Sequence, residues 1–128
     1  MLCLILYEAF LCNPSKAVKK MLFRQNSKLF SINPDRIAAA GGSAGGHLAA
    51  VTANIDLFDN KNEDLSVSSK PNLLILYNPV IDFGSRKWLW INNPSNASPI
   101  HNIKEGSPPT IILSGTDCLL YTSPSPRD

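Results

Sequence analysis

The sequence predicts an α/β fold with a mostly parallel sheet and helices on both faces. Three observations predict it. Short apolar runs without polar alternation recur at Ile37–Ala40, Leu73–Tyr77 and Thr110–Leu113, the pattern of strands buried on both sides. Segments of helical spacing or small-residue composition lie before and between them. Glycine and proline punctuate the joins.

Taken in order, Met1 to Tyr7 is apolar but lacks a basic start and a small-residue cleavage pattern, so it reads as a strand rather than a signal peptide. Asn13-Pro14 supplies an N-cap and a first helical proline. Val18, Met21, Leu22, Gln25 and Leu29 follow at helical spacing, all apolar except Gln25. Lys16, Lys19, Lys20, Arg24 and Lys28 fall mostly on the other, solvated side. This helix should fade near Ser31, because Pro34 restricts Asn33. Ile37–Ala40 is the next strand, and a glycine-rich turn follows at once. Gly46 to Ala53 reads as a helix of small residues, able to pack closely on a sheet. Residues 54–69 read as a polar surface loop. Pro71-Asn72 leads into the strand Leu73–Tyr77, and Asn78-Pro79 ends it. Residues 84–101, with Trp88, Trp90, Pro94 and Pro99, read as a loop or short helices covering a pocket. Pro108-Pro109 leads into the last strand. No internal repeat is visible.

Composition sets the outer bounds. The chain has 128 residues, 44% hydrophobic and 17% charged, enough for one small domain or part of a larger one. A net charge of +2 without a basic block argues against nucleic-acid or anionic-membrane binding. No apolar stretch is long enough for a transmembrane helix. Cys3, Cys12 and Cys118 have no metal-ligand spacing and read as incidental thiols. No metal or organic cofactor is implied. Localisation and oligomeric state stay open.

The chemistry concentrates in Gly41-Gly42-Ser43-Ala44-Gly45. A nucleophilic serine needs its oxygen held clear of its own backbone, which a sharp strand-to-helix turn provides. That turn brings residues two before and two after the serine close together, so both must be small. Gly41 and Gly45 meet the need, and Gly42, Ala44 and Gly46 relieve crowding further. The Ala44 amide, at a helix N-terminus, would help stabilise an oxyanion. A phosphate-binding loop is disfavoured. No Gly-Lys-Ser/Thr ending is present, and the Gly-x-Gly-x-x-Gly pattern fails.

These residues also carry a family resemblance. Ile32-Asn33-Pro34-Asp35-Arg36-Ile37 leading into Gly41-Gly42-Ser43-Ala44-Gly45-Gly46-His47-Leu48-Ala49 resembles the esterase/lipase branch of the α/β-hydrolases. That branch includes acetyl-esterase, feruloyl-esterase-like and hormone-sensitive-lipase-like enzymes. Leu76-Tyr77-Asn78-Pro79-Val80-Ile81-Asp82 and the stretches 98–103 and 108–116 agree with it. The resemblance implies a partial α/β-hydrolase fold over residues 1–117, with Ser43 as nucleophile and Ala44 as oxyanion amide. The family's acid loop reads Gly-Thr-x-Asp. Gly115-Thr116 match its start, Asp117 falls on x, and Cys118 stands where the acid belongs, so Asp117 sits beside the expected acid position and is itself the catalytic acid only if the loop is one residue shorter here. The family's catalytic histidine follows the acid. No histidine follows His101, so His47 and His101 read as structural. Asp82 comes one strand too early to be the acid.

Residues 118–128, Cys-Leu-Leu-Tyr-Thr-Ser-Pro-Ser-Pro-Arg-Asp, match one reading frame of a transposase adapter used in DNA library preparation. They are therefore expected to be a translated artefact, with the natural chain cut at codon 117 and its third base supplied by the adapter. On that expectation Asp117 stands for a natural Asp or Glu. The parent is expected to be a carboxylic-ester hydrolase acting on a small-molecule ester, and the 128-residue chain to be inactive. Two other readings remain open: a serine peptidase of the prolyl-oligopeptidase type, and a hydrolase-like binding domain without catalysis. The first usually has an aromatic residue where Ala44 stands.

Overall fold

The apolar runs pair as neighbours in one sheet. The computed structural model describes residues 3–7, 22–56, 64, 66–82 and 94–115. Four strands, β1 (Cys3–Tyr7), β2 (Ile37–Gly42), β3 (Leu73–Tyr77) and β4 (Thr110–Leu113), lie side by side in sequence order, all parallel. Parallel neighbours need a crossover between each pair. Helix α1 (Ala44–Asn54) makes the one between β2 and β3. The short helix α2 (Pro94–Ala97) and a 3₁₀ turn (Pro99–Asn102) lie between β3 and β4. Two of these strands, β3 and β4, have the limits the apolar runs predict, and β2 runs two residues further into the glycines.

The core forms where α1 crosses the sheet. Ala49, Ala50 and Ala53 meet Ala39, Leu74 and Leu76, all at most 2% exposed. Alanine on both elements lets the helix backbone approach β2 closely, and the two leucines of β3 fill the remaining space. Register explains the selection, because Ala39 pairs with Leu74 and Gly41 with Leu76, so these positions share one face. At the end of α1 the buried Asn54 is fully engaged. Its Nδ2 donates to the Ala50 carbonyl (3.0 Å), and its Oδ1 accepts from Ser107 Oγ (2.6 Å).

Arg24 and Asn72 tie the start of β2 to the start of β3. Asn72 donates its backbone N–H to the Ile37 carbonyl (2.7 Å) and accepts the Ile37 N–H on Oδ1 (3.1 Å). Arg24 donates to the same Oδ1 (3.0 Å), to the Pro34 carbonyl (2.9 Å) and to the Ser68 carbonyl. So Arg24 is not simply part of a solvated basic face, although Lys28 is exposed. The expected helix across residues 13–31 falls partly outside the described residues. Its described part is helical only at 22–25 and continues as turns to Ser31. The Asn26 N–H and side-chain Nδ2 both donate to the Leu22 carbonyl (3.0 and 2.9 Å), and Ser31 adopts φ 51°. With the period broken, Leu29 is 77% exposed instead of sharing a buried face with Leu22, itself half exposed.

The strand β4 is exposed at every position, including Ile111, Ile112 and Leu113. Beside it, a cavity of about 570 Å³ opens between the flank of α1 and the segment 99–108, lined by Leu74, Leu76, Ile81, Ile100, Ile103 and Ile112 among others. A bare edge strand and an apolar hollow of this kind invite association. The isolated 128-residue chain is therefore expected to bind a hydrophobic dye and to melt without a sharp transition. A monomer with a cooperative calorimetric peak would contradict this.

Candidate active site

The chain leaves β2 at Gly42 and enters α1 at Ala44, so a single residue makes the turn. That residue, Ser43, has φ 50° and ψ −118°, outside the regions open to L-residues. Such a conformation costs about 1–3 kcal/mol and persists only where its surroundings impose it. The surroundings here are hydrogen bonds on both sides of the residue. The Ser43 N–H donates to the Tyr77 carbonyl (2.9 Å), extending the β2–β3 ladder by one bond. The Ser43 carbonyl accepts from His47 N–H (3.0 Å) and, more weakly, from Val80 N–H (3.5 Å). A serine before a helix commonly bonds its hydroxyl to the first-turn amides. Ser43 makes no such bond, so its hydroxyl is not consumed in capping, and the residue is exposed. The Ala44 N–H, first in the helix, has no intrahelical acceptor and lies beside that hydroxyl's backbone.

The glycines divide by the space around them. A Cβ at Gly41 would lie 2.4 Å from the Gly45 carbonyl carbon and 2.5 Å from its oxygen, a collision of backbone with backbone. A Cβ at Gly46 would lie 2.8 Å from the Gly41 carbonyl oxygen and 3.0 Å from Pro79 Cβ. Gly42 differs, since a Cβ there would meet nothing closer than 3.7 Å. Relief of crowding thus falls to Gly41 and Gly46, and Gly42 has no part in it.

His47 sits one turn into α1, partly buried. Its Nδ1–H donates to the Val80 carbonyl at 2.9 Å, which assigns the proton to Nδ1 because a carbonyl only accepts. Burial holds its pKa below the ordinary 6.5, outweighing the Val80 carbonyl, which raises it. A second cluster joins Asp82, Ser98 and His101. Ser98 Oγ donates to Asp82 Oδ1 (3.3 Å), and His101 Nε2 lies 3.3 Å from the same oxygen. These are the residue types of a hydrolytic triad, but their order is wrong for one. In a triad the histidine stands between serine and acid. Here the serine gives its proton straight to the carboxylate and is fully buried, closed to any substrate. Asp82 therefore braces the segment that follows β3 against the 3₁₀ turn. The sequence excluded Asp82 as the triad acid but did not show this pairing, for which the spacing of Asp82 and Ser98 carries no signal.

Asp117 lies outside the described residues. Among the described residues, no group of three His, Cys, Asp or Glu side chains could hold a metal ion, and no helix is long and apolar enough to cross a membrane.

A strained serine between a buried parallel strand and a small-residue helix belongs to a recognisable class, and the comparisons agree: the fold is that of α/β-hydrolase esterases. The chain belongs to the BD-FAE family, whose model matches residues 15–86. It is 34% identical over 74 residues to an acetylxylan esterase of Xylanibacter ruminicola, covering 56% of this chain and 14% of that protein. Esterase 2 of Thermogutta terrifontis, phosphoramylated by tabun, superposes with a TM-score of 0.68 at 36% identity, covering 77% of this chain and 39% of that one. Its paraoxon-phosphorylated form gives 0.67 at 39% identity, with 77% and 38% covered. The chain thus spans about a seventh of the curated relative and about two fifths of the solved one.

Two outcomes follow for the complete protein. Gly41→Ala should cost about 4 kcal/mol or more, or prevent folding, because no flexible side chain can yield. Gly42→Ala should stay within about 1 kcal/mol of the native protein in the same urea titration. For His47, the unfolded chain binds a proton near 6.5 that the folded chain rejects. Its contribution to stability is therefore complete above that pH and lost as pH falls through the lower folded value. His47→Gln should flatten the fall in urea midpoint below pH 6.5, and an unchanged slope would exclude His47 as its source.

Proposed function

We propose that the complete protein is a carboxylic-ester hydrolase in which Ser43 is the nucleophile. The observation that carries this reading is the backbone of Ser43, strained at φ 50° and ψ −118° with its hydroxyl left out of helix capping. Backbone strain of that kind clusters at active sites. Here it lifts a hydroxyl clear of the chain at the carboxyl end of a parallel sheet, where open α/β sheets place their ligands. Ser43 Oγ attacks the ester carbonyl as a histidine takes its proton. The Ala44 N–H, with the helix dipole behind it, donates to the oxyanion. The alcohol leaves with that proton, and water then releases the acid from the acyl-enzyme.

Neither histidine of this chain fits the role of base. In this fold the catalytic histidine follows the acid, and no histidine follows His101, so neither His47 nor His101 is given the role. The base and the acid are assigned to the rest of the complete protein, the acid to the loop that begins at Gly115. Asp117 is kept as the neighbour of that acid. Residues 118–128 are assigned to the adapter, which resequencing of the source DNA past codon 117 checks directly.

The names of the relatives support a short acyl group. One is an acetylxylan esterase, and the solved esterase is described in propionate-bound and butyrate-bound forms. The complete protein should therefore hydrolyse p-nitrophenyl acetate faster than long-chain esters. Ser43→Ala should lower kcat by roughly 10⁴-fold or more. Paraoxon should phosphorylate Ser43, read as a mass shift on its peptide. The 128-residue chain alone should show no turnover. Full activity in Ser43→Ala would remove the serine from the mechanism.

A further inference from the structure

The exit of β3 contains a second backbone outlier. Asn78 has φ 42°, although it precedes Pro79, and a residue before proline is steered toward extended conformations. Asparagine tolerates positive φ better than most residues, which explains the residue type but not the conformation. Its hydrogen bonds do. The Asn78 N–H donates to the Leu113 carbonyl at 2.8 Å, continuing the β3–β4 ladder beyond the Tyr77–Leu113 pair. In a regular parallel ladder, the next N–H on β4, that of Gly115, would return to the Asn78 backbone carbonyl. Instead Gly115 N–H donates to the Asn78 side-chain oxygen, Oδ1, at 2.9 Å. The carboxamide oxygen stands in for the residue's own carbonyl.

The reason for the substitution lies one residue further on. Pro79 turns inward and is buried against Gly46 of the elbow helix. The main chain must leave the sheet at Asn78 to let it do so. A side-chain acceptor of the right length then keeps the ladder closed on the β4 side. The last residue of β3 and the one after it thereby hold Ser43 and Gly115. The Tyr77 carbonyl holds Ser43 N–H on one side, and Asn78 Oδ1 holds Gly115 N–H on the other.

We propose that Asn78 is a positioning residue of the hydrolytic centre, fixing the backbone at Gly115, just past β4, relative to Ser43. The inference rests on the reading of Ser43 as nucleophile and of the acid as following Gly115. Asn78 touches no reacting atom and acts through the backbone it anchors.

Kinetics of the complete protein on p-nitrophenyl acetate test it. Glycine accepts positive φ freely, so Asn78→Gly removes the acceptor without straining the turn. It should fold, lower kcat roughly 10- to 100-fold and leave KM within about twofold, because misplacement acts on the reaction more than on binding. Asn78→Asp restores the acceptor and should recover kcat to within about threefold of native. Gly115→Pro deletes the donor from the other side, where a Cβ meets open space. It should lower kcat similarly, with no further loss when combined with Asn78→Gly. That variant keeps the test decisive if Asn78→Gly does not fold. The proposal is overturned if folded Asn78→Gly or Gly115→Pro keeps native kcat, if Asn78→Asp gives no rescue, or if the two losses multiply. Ser43→Ala is run alongside. If it retains activity, the nucleophile reading fails. If it is inactive while Asn78→Gly is native-like, only the positioning role fails.

Discussion

The contact on which this structure depends is the approach of Gly41 to Gly45 across the turn at Ser43. Two backbone segments meet there at a separation that excludes even a methyl group. Only that closeness lets β2 end and α1 begin one residue apart, with Ser43 alone in a conformation that L-residues avoid. The strain is offset by ordinary means. Ladder bonds hold the serine backbone, and the alanine face of α1 lies flat on Ala39, Leu74 and Leu76. Glycine at the turn and alanine along the helix are parts of one solution, since a bulkier helix would lift α1 away and open the turn.

The strand next to the elbow completes the arrangement. From Tyr77 to Asp82 the chain bonds several other segments: Ser43 from Tyr77, Leu113 and Gly115 from Asn78, His47 and Ser43 from Val80, Ile100 from Ile81, Ser98 and His101 from Asp82. This six-residue strap explains why the apparent triad of Asp82, Ser98 and His101 is structural. It also holds the His47 ring, whose Nδ1–H stays on the Val80 carbonyl while burial lowers its pKa.

Much of this was legible in the residues. Uninterrupted apolar runs marked the strands because a parallel sheet with covered faces leaves no position for polar alternation. The elbow was legible because its steric demand is met by few residue types at fixed spacing. Other features were not. Leu29 lies at helical spacing from Leu22 yet stands exposed, because the regular helix gives way to turns after residue 25. Arg24 belongs by sequence to a basic face, but three carbonyl-type acceptors converge on it only after β2 and β3 pair.

The sequence by itself determined the order of elements, the sheet-forming segments and the place of the strained turn. Each depends on local sterics and on periodicity over a few residues. Tertiary structure alone decided which glycines are obligatory, giving Gly41 and Gly46 no room and Gly42 ample room, because the colliding atoms come from the next element of chain. It also decided what Asn78, Asp82 and His101 do. Their partners lie 16 to 37 residues away or across the same strap. No local pattern specifies a hydrogen bond that exists only once β4 lies beside β3.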